Sequence, residues 1–263
     1  AADDLAGLGH NSAAYLHLLA ESMKLAYADR SKYLGDPDFV EVPVAALIDP
    51  AYGTRLRQLI KPATATPSAE VLPGQALGHE SQDTTHYSVA DKDGNVVSNT
   101  YTLNASFGSA IAVPGTGMLL NNEMADFAGR PGLPNMFGLV QGDSNAIAGG
   151  KRPLSSMSPT IVFKDGKPWL ATGSPGGPRI ITTVAQTLLN AMAFDMNVAT
   201  AGISARIHHQ WLPDEILAEQ DISVDTIRLL EGMGHTVVHS KNTIGRTQSI
   251  MLEDGWLLGS TDT

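Results

Sequence analysis

The residues suited to chemistry fall in separate blocks. The first, Asp83-Thr84-Thr85-His86-Tyr87-Ser88-Val89, stands where a polar linker meets a strand pattern. A threonine hydroxyl is a poor nucleophile at neutral pH and attacks an acyl carbon only with a base close by. A bare Thr-Thr pair is otherwise ordinary strand sequence. Next comes Asn99-Thr100-Tyr101-Thr102-Leu103-Asn104, where a spacing of two puts Thr102 and Asn104 on one strand face. Glu123 and Asp126 lie in Leu119-Leu120-Asn121-Asn122-Glu123-Met124-Ala125-Asp126-Phe127. Two carboxylates in a closed pocket grip a cation; an isolated pair on a loop is simply solvated. Ser155 and Ser156 sit in Lys151-Arg152-Pro153-Leu154-Ser155-Ser156-Met157-Ser158-Pro159-Thr160, and such hydroxyls more often cap or turn the chain. Gly173-Ser174-Pro175-Gly176-Gly177 enters a helical pattern. Glycines there let backbone N–H groups approach an anion, but no Gly-Lys-Ser/Thr follows, so a phosphate cradle is rejected.

Two further features read as structural. His208 and His209 are adjacent, and neighbours on a strand point to opposite faces rather than to one metal. Asp91-Lys92-Asp93-Gly94-Asn95 is like a fragment of a calcium loop, but it lacks the distal Glu and lies between strand patterns, so it reads as a turn.

The elements that must position these blocks follow from periodicity and punctuation. Residues 11–34 read as a long helix capped by Asn11 or Ser12 and stopped by Gly35-Asp36-Pro37. A second helix starts at Asp49-Pro50 and ends near Ile60. Residues 61–83 have the composition of an exposed linker. Strands at 85–90 and 96–103 flank the Asp91–Asn95 turn as a hairpin. Residues 104–152 are rich in Gly, Pro and Asn, and a loop of that length in a compact domain is usually functional. A hairpin at 160–164 and 169–173, helices at 177–193 and 223–233, and strands near 246–253 and 256–260 complete the pattern. This mixture predicts a layered α+β fold.

Composition excludes several functions. The 263 residues carry a net charge of −10, with Lys151-Arg152 the only adjacent basic pair, which argues against a nucleic-acid partner. There is no cysteine, so no disulfide, thiol nucleophile or Cys-zinc site. No apolar run approaches the roughly 18 residues of a membrane span. No leader is visible, and the chain, which does not begin with Met, reads as cut at both ends.

Taken together and in this order, the blocks resemble the small subunit of γ-glutamyltransferases. Upstream, Leu25-Ala26-Tyr27-Ala28-Asp29-Arg30 and Tyr33-Leu34-Gly35-Asp36-Pro37-Asp38-Phe39 are similar to the end of that family's large subunit. The resemblance implies a partial N-terminal-nucleophile hydrolase αββα sandwich, lacking the early large-subunit portion. It implies autoproteolysis between Asp83 and Thr84, dividing the chain into 1–83, the tail of the large subunit, and 84–263, the small subunit. Thr84 would be the nucleophile, its freed α-amine serving as its base, because an amine with a pKa near 7.7–8.0 accepts a proton near neutral pH. Thr102 would orient it. Gly176 and Gly177 would form the oxyanion hole. Asn104, Ser155 and Ser156 would bind the substrate α-carboxylate, and Glu123 and Asp126 the α-ammonium. Residues 131–142 would be the lid, with Phe137 as its aromatic plug.

The implied reaction is γ-glutamyl transfer from glutathione or a similar donor, through an ester on Thr84, to water, an amino acid or a peptide. No metal or organic cofactor is implied. The large-subunit remainder is the implied partner, and the periplasm or exterior the implied location. The family's substrate-binding arginine from the early large subunit has no counterpart in a matching motif before Thr84. Two alternatives stand beside this reading: a glutaryl-type cephalosporin acylase of the same superfamily, and an unprocessed, inactive fragment.

Overall fold

The computed structural model describes residues 3–71 and 84–262. In chain order the elements are α1 (Leu5–Leu8), α2 (Ala13–Tyr33), α3 (Val44–Leu47), α4 (Pro50–Leu59), β1 (Thr85–Ala90), β2 (Val96–Tyr101), β3 (Thr160–Lys164), β4 (Lys167–Thr172), α5 (Arg179–Ala193), α6 (Val198–Ile203), β5 (Ile207–His208), β6 (Ile216–Ala218), α7 (Val224–Gly232), β7 (Val237–His239), β8 (Gln248–Glu253) and β9 (Trp256–Thr261). Short 3-10 turns lie at Ser68–Glu70, Glu123–Asp126 and Asp143–Asn145. The chain divides into two compact units: Ala1–Glu80, Met124–Ser155 and Ile207–Lys241 in one; Ser81–Glu123, Ser156–Arg206 and Asn242–Thr263 in the other. Residues from 84 onward thus contribute to both units.

In the first unit α2 starts where Ser12 Oγ accepts the Tyr15 N–H at 3.1 Å. It buries Leu16, Ala20, Met23 and Tyr27, but also His17, Glu21 and Lys24. Lys24 Nζ donates to Glu21 at 2.8 Å and lies 3.3 Å from Asp214, so the buried cation is paired. α4 begins as expected, with Asp49 accepting the Ala51 N–H ahead of Pro50. The sheet of this unit, ordered β5-β6-β7 with β6 and β7 parallel, has no counterpart in the sequence reading. Its strands have two or three residues each, too few for alternation to register.

In the second unit β3-β4-β8-β9 form a four-stranded sheet. Ala191 of α5 and Val198 and Ala201 of α6 pack with Leu170 and Met251 on one of its faces. The β1–β2 hairpin lies against the other: Ser88 Oγ donates to the Gln248 carbonyl at 2.9 Å, and Ser98 Oγ to the Thr172 carbonyl at 3.0 Å. Helices, sheet and hairpin make three successive layers, of which the layer junction at the hairpin is polar rather than apolar. The expected turn holds the hairpin: Asp91 Oδ1 accepts the N–H groups of Asp93 and Asn95, and Gly94 takes φ 86°.

Candidate active site

Thr84 Oγ1 donates to Thr102 Oγ1 at 3.4 Å. The pair continues the hairpin register, in which Thr85 faces Tyr101 and His86 faces Thr100. Alternation then puts Thr84, His86 and Ser88 on one face of the β1 segment, the face turned to the four-stranded sheet.

The strand expected over 96–103 ends at Tyr101, and Asn104 adopts φ 76°. Thr102 Oγ1 accepts the Asn104 N–H at 2.8 Å, a hydroxyl-stabilised turn that competes with the strand. The two side chains are therefore related by a turn and not by strand alternation. Asn104 is buried, and its Nδ2 donates to the Asn122 carbonyl at 3.2 Å, while Asn122 Oδ1 accepts the Ala105 N–H at 2.9 Å. This anchors the turn to the segment that leads into Glu123.

Gly176 and Gly177 stand immediately before α5 with φ of 135° and 54°, conformations that L side chains rarely adopt. Space is not the constraint at Gly176, because a Cβ there would meet its nearest atom at 3.5 Å. Their carbonyls accept the N–H groups of Arg179 and Ile180 at 3.1 and 3.2 Å. Among the described residues neither glycine N–H donates a hydrogen bond. Two unused donors at a helix N-terminus, where the helix dipole adds positive potential, suit a developing oxyanion. Arg179 follows, buried, and burial pushes its guanidinium pKa down to about 10.

His86 is a site residue that motif reading passed over. Its ring is buried, and a Cβ added to Gly173 would stand 2.2–2.7 Å from the imidazole. The bonds around it fix the tautomer. Ser88 uses its proton on the Gln248 carbonyl, so His86 Nε2–H donates to Ser88 Oγ at 3.2 Å, and Nδ1 accepts from Thr100 Oγ1 at 2.7 Å. Burial pushes its pKa down to about 4, so the ring is neutral at pH 7. Gln248 N–H donates back to the Gly173 carbonyl at 3.1 Å. The imidazole thus couples the strand of Thr84 to the start of the Gly173–Gly177 loop.

Glu123 and Asp126 share the 3-10 turn Glu123–Asp126, where Asn121 Oδ1 accepts the Glu123 N–H at 3.0 Å. Ser156 is half-buried, and its carbonyl accepts from Ser158 Oγ. Asp126, Phe137 and Ser155 belong to the first unit. The Asp126 carbonyl accepts from Asn145 Nδ2 at 2.7 Å, and Asn145 Oδ1 accepts the Leu154 N–H next to Ser155. Burial lowers the pKa of Arg30 in α2, opposed by Tyr27 and by the negative charge of Asp126. Phe137 is buried in a small hairpin in which Asn135 Oδ1 accepts the N–H groups of Phe137 and Leu139. Asp83 lies outside the described residues.

His208 and His209 have structural partners. His208 Nε2 bonds Gln210 Oε1 at 2.9 Å and its ring meets Tyr27 edge-on. His209 Nδ1 accepts the Trp211 N–H at 3.1 Å while its Nε2 lies 3.4 Å from Asp214.

The profile of the γ-glutamyltranspeptidase family matches residues 2–263. The glutathione hydrolase proenzyme of Escherichia coli (strain K12) is 54% identical over 260 residues, which cover 98% of this chain and 45% of that protein. The chain therefore spans about half the length of the curated relatives it matches. Among solved structures, a mutant of Helicobacter pylori γ-glutamyltranspeptidase is 51% identical, with a TM-score of 0.65, over 68% of this chain and 98% of that one. The cephalosporin acylase of Bacillus halodurans is 28% identical, with a TM-score of 0.79, over 95% of this chain and 44% of that one. With its sequence matched from end to end and its layers shared with solved relatives, this chain belongs to the γ-glutamyltranspeptidase family.

Proposed function

We propose that the protein transfers γ-glutamyl groups from glutathione or similar donors to water, amino acids or peptides, with Thr84 as nucleophile. The observation that carries this reading is the hydroxyl pair of Thr84 and Thr102 in the same unit as a Gly176–Gly177 loop with two unused N–H donors. Thr84 Oγ attacks the γ-carbonyl of the donor, and its proton passes to the α-amine of the same residue. The oxyanion takes hydrogen bonds from the Gly176 and Gly177 N–H groups. Collapse expels the donor's amine with a proton and leaves an ester on Thr84, which water or a second amine then cleaves. Thr102 orients the nucleophile, Asn104, Ser155 and Ser156 take the α-carboxylate, Glu123 and Asp126 the α-ammonium, and Phe137 shields the pocket.

The base exists only after Asp83 has been cut from Thr84, because an amide nitrogen does not accept the proton. Two observations support that cut. The Escherichia coli relative is named a proenzyme. The 68% coverage by the Helicobacter pylori chain is the share that the 180 residues from Thr84 to Thr263 make up. Residues of the longer relatives beyond this chain complete the same proposal, as does export to the periplasm or exterior.

A glutaryl-type acylase is the second reading, favoured by the structural match to cephalosporin acylase. Glu123 and Asp126 argue against it, since a glutaryl group has no ammonium for them to hold. The test compares γ-glutamyl and glutaryl anilides on the purified protein. Faster γ-glutamyl cleavage supports transfer, and faster glutaryl cleavage reverses the assignment.

A further inference from the structure

Arg246 is tied to the Gly176–Gly177 loop without belonging to it. Its N–H donates to Ser174 Oγ at 2.8 Å, and that hydroxyl donates to the Pro175 carbonyl at 2.6 Å. The Cα of Gly245 would stand 3.5 Å from a Cβ built on Gly176, so residues 245–246 back directly on the loop.

The start of β8 fixes where the backbone of Arg246 lies. Thr247, Ser249 and Met251 are buried, and Met251 packs with α5 and α6. The Asp262 N–H donates to the Thr247 carbonyl at 2.9 Å, which carries the β8–β9 pairing back past Gln248. Arg246 lies two residues ahead of β8 (Gln248–Glu253), between Gly245 at φ 78° and Thr247, and its N–H bonds Ser174 instead of a strand neighbour. From Gln248, bonded to Gly173, the step back to Arg246, bonded to Ser174, runs toward Gly176.

Unlike its buried neighbours Gly245 and Thr247, Arg246 is exposed. Among the described residues its guanidinium makes no ion pair or hydrogen bond. No fold contact among the described residues uses this charge. A guanidinium presents a planar fork of donors that matches a carboxylate. In the reading above, the charges of the γ-glutamyl group are already taken by Glu123, Asp126, Asn104, Ser155 and Ser156. The carboxylate still without a partner is the one on the amine side of the scissile bond.

We infer that Arg246 is a specificity residue that receives the carboxylate of the amine partner: the leaving Cys-Gly of glutathione, then the incoming amino acid or peptide. This rests on the γ-glutamyl-transfer reading. The test compares Arg246→Gln and Arg246→Lys with the parent protein, measuring kcat/KM for glutathione and for γ-glutamyl-p-nitroanilide, whose leaving amine has no carboxylate. The ratio of the two within one preparation cancels any difference in folded fraction. In Arg246→Gln the glutathione-to-anilide ratio falls about tenfold, mainly through KM, the order of one charge-assisted hydrogen-bonded pair. Arg246→Lys regains part of it, and the preference for glycylglycine over its C-terminal amide as acceptor shrinks in parallel. A ratio within about twofold of the parent overturns the inference, whether both donors fall together or neither does. If the parent protein turns over neither donor, the γ-glutamyl reading itself fails and the inference with it.

Discussion

At the scale of single residues, the proposed chemistry rests on Thr84 and the two glycines, and each has a separable consequence. Replacing Gly177 with Ala forces a side chain onto a backbone at φ 54° and misdirects one oxyanion donor. Steady-state assay of Gly177→Ala should show kcat lowered by about 10²–10³, with a smaller change in KM. Thr84 was legible as part of a block, because a linker, a strand start and several hydroxyls meet there. His86 was not, because its meaning depends on Gly173, far along the chain, and on a bond through Ser88 to Gln248. Nor did the sequence reveal that Asn104 leaves the strand, since the Thr102 hydroxyl that turns the chain looks the same in either conformation.

The unit of positioning at the scale of elements is the β1–β2 hairpin seated on the four-stranded sheet. Its seating depends on the imidazole of His86 occupying the space a side chain at Gly173 would need. Gly173→Ala should destabilise the protein by about 1–3 kcal/mol, as overpacking of a filled interior does. The loss should be partly relieved in Gly173→Ala/His86→Ala, a coupling that urea unfolding of the double-mutant cycle would measure. Strictly additive losses would mean that the ring does not set the approach. The hairpins, α2, α4, α5 and α7 could be read from turn residues and periodicity to within a few positions. The β5-β6-β7 sheet could not, because its pairing joins β6 to β7 across α7 and each strand is shorter than one repeat of a usable pattern.

At the scale of the whole molecule, both units bury histidines that stay neutral. Burial pushes His86 and His235 down to about 4, and His235 is depressed further by the positive charge of Lys24 and by His17 and His209, with Glu21 opposing. His209 is lowered mainly by burial, against the pull of Asp214. At His86 and His235 the unfolded chain takes up a proton as pH falls below about 6.5, while the folded protein does so only near 4. The neutral forms therefore contribute stability that is complete above pH 6.5 and is lost as pH falls from there toward 4. Each of His86 and His235 should cost roughly 1–2 kcal/mol between pH 7 and pH 5, read as a lower urea midpoint. His86→Gln should flatten that pH dependence; an unchanged slope would mean that His86 is not held neutral. Asp214, held well below the usual carboxylate range despite burial by His209, Ser68 and Lys24, adds a further loss at lower pH. The assembled cluster was not visible in the sequence, where its three segments, around His17 and Lys24, His209 and Asp214, and His235, are far apart and only folding brings them together.

The central claim is that Thr84 becomes a nucleophile when its bond to Asp83 is cut by its own hydroxyl. Denaturing electrophoresis followed by N-terminal sequencing tests it most directly, on the parent protein and on Thr84→Ala. The account predicts two pieces from the parent, the second beginning Thr84-Thr85-His86, and one uncut, inactive chain from Thr84→Ala. A parent chain that remains whole after prolonged incubation, or a Thr84→Ala variant that still turns over γ-glutamyl anilide, would contradict it.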